Sequence, residues 1–133
     1  MTIKKWKKQM ASWQLSARDE QRLIGVNPAL VKVIRRAAAN GAPRFAVIEG
    51  LRTLARQKQL VAAGASKTLK SRHLTGHAFD IAPLIGSTVS WAWPQFYPLA
   101  TAIKLAAAQE GVKIEWGGDW RTFKDGPHWQ LPW

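Results

Sequence analysis

The chain contains no cysteine, which excludes a disulfide framework, thiolate zinc sites and thiol nucleophiles, so any metal must sit on His, Asp or Glu. Acids are scarce as well. Eight Asp and Glu stand against twenty Lys and Arg, a formal net charge of +12, and that excess implies an anionic partner without deciding between nucleic acid, membrane and acidic wall polymer. No stretch approaches the roughly 18 consecutive apolar residues of a membrane span. The basic N-terminus has no apolar segment behind it in the manner of a signal peptide, so a soluble protein made in the cytoplasm is expected. What is present is enough for one domain: 133 residues, 47% of them hydrophobic, can bury roughly two-thirds of their unfolded surface without staples. Tryptophan is in surplus. Of eight Trp, Trp116, Trp120, Trp129 and Trp133 crowd towards the C-terminus, where such residues either wall a groove or pack beneath it.

Residues 1–14 form a basic arm. Lys4, Lys5, Lys7 and Lys8 accompany Ile3, Trp6, Met10 and Trp13, which fall on one face at helical spacing; the stripe either docks on its own domain or meets an anionic envelope. Residues 15–133 read as the domain. Ser16 with Asp19 resembles a capping box opening a short helix that stops at Gly25. Asn27-Pro28 starts a second helix, closed at Asn40-Gly41. A strand is expected from Arg44 to Gly50, a helix from Thr53 to Ala63, and an irregular basic loop from Gly64 to Leu74. The segment from His77 to Pro83 reads as a strand stopped by its proline. Pro94 to Glu110 is the longest helix, with Pro98 expected in its first turn. Val112 to Trp116 and His128 to Leu131 complete the strands. This order predicts an α+β fold with a small, mainly antiparallel sheet flanked by helices.

The chain's three histidines are His73, His77 and His128. His73 precedes Asp80 by seven residues, with Gly76 between them to bend the chain from loop into strand, and His128 follows Asp125 by three across Gly126-Pro127. Two imidazoles and a carboxylate are a common catalytic zinc set, since three protein ligands leave a fourth tetrahedral position for water. Asp125 is spaced to supply the neighbouring carboxylate that such a water requires.

The string of Ser71, His73, Gly76, Ala78 and Asp80 resembles the signature of the zinc peptidases that include D-alanyl-D-alanine carboxypeptidases and the D-Ala-D-Ala dipeptidases of vancomycin resistance. Within that group the chain is most similar to the phage L-alanyl-D-glutamate endopeptidases, through `GVNPALVKVIRRA`, `VIEGLRTLARQ`, `SRHLTGHAFDIAP` and `WGGDWRTFKDGPHWQL`. The resemblance implies a Hedgehog/DD-peptidase-like fold with the zinc site on the sheet. It implies His73, Asp80 and His128 as ligands of Zn2+, Asp125 as the catalytic carboxylate and Arg52 as the arginine facing the scissile carbonyl. Ser71 corresponds to a substrate or supporting contact, and Trp116 and Trp120 become candidates for substrate binding. His77 falls on a variable position and is read as a non-ligand. Glu49 either pairs with Arg52 or faces solvent.

The implied activity is cleavage of the L-Ala to D-Glu bond of peptidoglycan by a monomeric lysis enzyme, held in the host cytoplasm until a holin opens the membrane. A carboxypeptidase or dipeptidase acting on terminal D-Ala would use the same groups. A non-catalytic cationic binder is the reading of another class, but a structural zinc fills its fourth position with a protein ligand, and no nucleic-acid partner is expected.

Overall fold

The computed structural model describes residues 11–133; the lysines of the basic arm and most of its apolar stripe lie outside these residues. Trp13 lies inside them and is docked. Its backbone N–H donates to Ala38 O (3.0 Å) and its indole Nε1–H to Ala42 O (2.8 Å), while the ring meets Phe45 edge-on. Helix α1 (Ala17–Arg22) follows. Its capping box is formed: Ser16 Oγ accepts from Asp19 N, and Asp19 Oδ2 accepts from Ser16 N.

Helix α2 (Pro28–Ala39) begins at Asn27, whose side chain accepts from Ala29 N, and it buries Leu30, Val33, Ile34, Ala37 and Ala38. Strand β1 (Phe45–Glu49), helix α3 (Leu54–Ala62), a 3-10 turn (Arg72–Thr75) and strand β2 (Ala78–Ile85) come next. The remaining elements are β3 (Thr88–Val89), helix α4 (Trp93–Glu110), β4 (Glu115–Trp116), a 3-10 turn (Gly117–Asp119) and β5 (His128–Gln130). The expected α+β class holds. The main sheet runs β1-β2-β5-β4 with every pairing antiparallel, and β3 folds back on the far end of β2. Phe45, Val47, Phe79, Ile81 and Trp129 join α2 and α4 in one core.

Three boundaries differ from expectation, each for a local reason. Strand β2 runs through Pro83 to Ile85. Leu84 N donates towards β1, to Arg44 O, whereas Ile81 N donates to the opposite side, to Pro127 O. Pro83 shares the phase of Ile81, so its missing N–H faces away from β1, past the end of β5 and towards Ser90 at the end of β3, where Ser90 N still donates to Pro83 O (2.9 Å) and only the reciprocal bond is forgone. Pro98 sits in the second turn of α4, which starts at Trp93, and even from the expected start at Pro94 it lies beyond the first turn of about 3.6 residues. The strand expected from Val112 contracts to Glu115–Trp116. The helix end claims the difference: Gly111 takes a left-handed conformation (φ 69°) and Val112 N donates back to Ala107 O.

β1 lies at the edge of the sheet, and α1 closes that edge. Val47 N donates to Asp19 Oδ1 (2.9 Å), and Arg22 Nη1 donates to Val47 O (2.7 Å). Side chains thus take the hydrogen-bonding places of a missing strand.

Candidate metal centre

Pairing of β2 with β5 sets Asp80 directly opposite His128. Alternation along the two strands turns these side chains to one face, while Phe79 and Trp129, the next pair, stack on each other on the core side. His73 arrives from the 3-10 turn. Ser71 caps that turn, its Oγ accepting from His73 N (3.2 Å). Gly76 closes it in a left-handed conformation (φ 74°), and a Cβ there would collide with Gly25 O. The expected glycine bend between His73 and Asp80 is therefore present and sterically required.

These elements bring three donor atoms together. His73 Nε2, Asp80 Oδ1 and His128 Nδ1 stand 3.2 Å from one another on all three sides. Donor atoms of a tetrahedral ion with bonds of about 2.0 Å are separated by about 3.3 Å, so this triangle has the dimensions of three zinc ligands. The outer nitrogens agree with that use. His73 Nδ1 lies 2.8 Å from Gly50 O and His128 Nε2 lies 2.8 Å from Gln130 Oε1. Each outer N–H donates to an oxygen, which leaves the inner nitrogen with its lone pair towards the cluster. Gln130 is held in turn by Glu115, to which its Nε2 donates (3.2 Å). Among the described residues, His73, Asp80 and His128 form the one group able to hold a metal ion.

Charge around the cluster is strongly coupled. Burial would raise the Asp80 carboxyl, but hydrogen bonds and charge from His128 and His73 win and hold it well below the usual carboxylate range. His128 is raised: burial opposes its protonation, and the Asp80 carboxylate beside it more than compensates. Asp125 is also raised, first by burial and then by the negative charge of Asp80. Its backbone is placed by a close approach, with Asp125 N donating to Gly117 O (3.0 Å). Any Cβ at Gly117 would overlap Asp125 O.

Arg52 is clamped. Its Nε and Nη2 donate to the two carboxylate oxygens of Glu49 (2.7 and 2.8 Å), Nη1 donates to Gln57 Oε1 (2.8 Å) and lies 3.5 Å from Ser71 Oγ, and Nη2 is 3.9 Å from Asp80 Oδ2. A bulge in β1 explains the geometry. The register slips between Val47 and Glu49, which puts Glu49 across from Asp80, and the guanidinium joins two carboxylates that would otherwise repel. Glu49 thus pairs with Arg52 instead of facing solvent. Burial works against the guanidinium's charge, and Glu49 restores it, so Arg52 is raised.

The cluster lies in a cleft of about 740 Å³ whose lining includes Arg52, Ser71, Trp120 and Asp125. Trp120 tilts against the His128 ring at 5.2 Å. Trp116 requires a correction: it is buried, stacks on Trp129 and donates its indole N–H to Gly126 O (2.7 Å), so it packs beneath the site and does not line the cleft. His77 stays out of the cluster and contacts the Thr75 hydroxyl. Three supporting groups escaped the sequence reading. Gly50 contributes only a carbonyl, which no motif marks. Gln57 is the single buried residue of α3, a polar residue where that helix meets the domain. Gln130 was open to inference, because it stands two residues after His128 on the same strand face.

A side-chain triad that leaves a coordination position open, set in a cleft beside a further carboxylate, defines the class of metal-dependent hydrolases. The family model described as phage L-alanyl-D-glutamate peptidase matches residues 11–129, and the chain belongs to that family. It is 34% identical over 118 residues to the L-alanyl-D-glutamate peptidase of Escherichia phage T5, covering 86% of each chain. It is 29% identical over 112 residues to the peptidoglycan L-alanyl-D-glutamate endopeptidase CwlK of Bacillus subtilis, covering 74% of this chain and 66% of that one. Among solved structures, the L-Ala D-Glu endopeptidase ChiX of Serratia marcescens superposes with a TM-score of 0.83 at 47% identity, covering 95% of both chains.

Proposed function

We propose that the chain is a zinc-dependent endopeptidase that cuts the L-Ala to D-Glu bond of the peptidoglycan stem and serves as a phage lysis enzyme. The observation that carries this reading is the 3.2 Å triangle of His73, Asp80 and His128 beside Asp125 in an open cleft. When bound, the ion would supply a Lewis acid that polarises the scissile carbonyl and makes water acidic enough to attack at neutral pH. Asp125 takes the proton of the attacking water and returns it to the departing amine nitrogen. Arg52, immobilised by Glu49 and Gln57, is a fixed positive charge that orients Asp80 and favours the negative charge developing on the carbonyl oxygen. Ser71 acts through the turn that presents His73.

The basic arm with Lys4, Lys5, Lys7 and Lys8 is proposed to concentrate the enzyme on an anionic envelope polymer. Deleting residues 1–10 should weaken binding to isolated cell walls while sparing cleavage of a short soluble peptide.

Mass spectrometry of purified peptidoglycan digested by the zinc-loaded protein, beside an Asp125→Ala control, tests the activity. Stem peptides that begin at D-Glu, with L-Ala left on the glycan, are the expected product. Loss of terminal D-Ala alone would make the enzyme a carboxypeptidase, and absence of any zinc-dependent product would remove the peptidase reading.

A further inference from the structure

The two lips of the cleft meet at one point. Lys67, on the loop after α3, places its Nζ 4.0 Å from the centre of the Phe123 ring, on the loop before β5, and both residues line the cleft. Phe123 is 65% exposed and has φ 53°, a backbone conformation that a bulky side chain seldom adopts. Strain of this kind persists where the surroundings fix it, characteristically at sites that bind something.

The other cleft cations near the metal ligands are already engaged. Arg52 is bonded to Glu49 and faces Asp80. Arg72 donates to the carbonyl oxygens of Leu131 and Pro132 and lies over the Trp133 ring. None of the ion pairs among the described residues involves Lys67, Lys70 or Lys124, and of these three Lys67 is the one whose ammonium is seated on an aromatic face. That seat fixes and partly dehydrates the cation without neutralising it, leaving its charge for an anion in the cleft.

The substrate of the proposed reaction brings such an anion. Whichever carboxyl group of D-Glu carries the peptide onward, the other is free and lies only a few bonds from the departing nitrogen. We propose that Lys67, seated on Phe123 across the cleft, binds this free carboxylate and selects for an acidic residue on the leaving side of the scissile bond. The inference rests on the L-Ala to D-Glu reading above.

The test compares two soluble peptides that differ only in whether the second carboxyl of D-Glu is free or a carboxamide. The zinc-loaded wild type is expected to favour the free acid in kcat/KM by about two- to fivefold, the range of one partly exposed charge contact. Lys67→Met, which keeps an unbranched side chain on the ring but removes the charge, should bring the ratio close to one at unchanged zinc content. Lys67→Arg should retain the preference, and Lys67→Glu should invert it. A Lys67→Met enzyme that still prefers the acid by the wild-type ratio overturns the proposal, as does a wild type that cuts both peptides equally. If the wild type cuts neither while remaining zinc-loaded, the failure lies with the L-Ala to D-Glu reading instead.

Discussion

Asp125 and His128 sit three residues apart, and the proposed reaction divides two tasks between them, proton transfer and metal retention. Asp125→Ala is expected to keep its zinc, measured by metal analysis, while turnover falls by about a hundredfold or more; His128→Ala should lose both. Near-normal turnover in Asp125→Ala would remove it from the reaction. The carboxyl of Asp125 should titrate above the ordinary value near 3.9 in metal-free protein and move down when Zn2+ is added, since a nearby dication favours the carboxylate. Side-chain 13C NMR reads this directly, and an unmoved titration would place Asp125 away from the ion. The raised value also bears on stability. A carboxyl that binds its proton more tightly in the folded chain supports the fold below its unfolded pKa, and that support is lost as pH rises through the folded pKa. Asp125→Asn should therefore raise the Tm of the metal-free protein at neutral pH, against no change if burial costs the carboxylate nothing. The grouping of His73, Asp80 and His128, with Asp125 in the same cleft, was legible because motif spacing survives in the linear chain. Gln57, Gly50 and Glu115 were not, because a polar group buried by distant elements leaves no local trace.

At the level of elements, capping chemistry carried the helices. Ser16, Asn27 and the left-handed Gly111 each mark a boundary that the structure keeps. Strand ends were harder to read, since they depend on which neighbour a backbone group faces: Pro83 sits where β2 leaves β5 for the short β3, at the cost of a single bond to Ser90, and β3 exists only by folding back on β2. The α1–β1 contact is the point at which helix and sheet depend on each other most directly. Asp19→Ala keeps the Ser16 cap but removes the reciprocal half of the capping box, the bond from Ser16 N, and strands the buried Val47 N–H, at a cost of about 1 to 3 kcal/mol, most of it from the stranded donor. Urea denaturation checks it; a cost below about 0.5 kcal/mol, the level of an ordinary surface change, would show that water replaces the aspartate at that edge.

Across the whole molecule, the cluster of His73, Asp80 and His128 joins segments 55 residues apart in sequence. A bound ion therefore works on the fold as well as on the substrate. At a free concentration about a hundred times its Kd, an ion that binds only the native state adds about 2.7 kcal/mol. Calorimetry should show Tm rising with Zn2+ and falling with chelator, whereas a Tm indifferent to both would mean that the triangle does not bind the ion. The net charge of +12 acts at the same scale. It was plain from composition, but its placement was not, because only the fold shows that Lys67, Lys70, Arg72 and Lys124 all line one cleft.

The grip of Arg72 on Leu131, Pro132 and Trp133 has a practical side. The last residues are held against the turn that carries His73, and Trp133 itself borders the cleft. Anything fused after Trp133, whether an affinity tag, a fluorescent reporter or a wall-targeting module, would emerge at the mouth through which a peptide stem must enter.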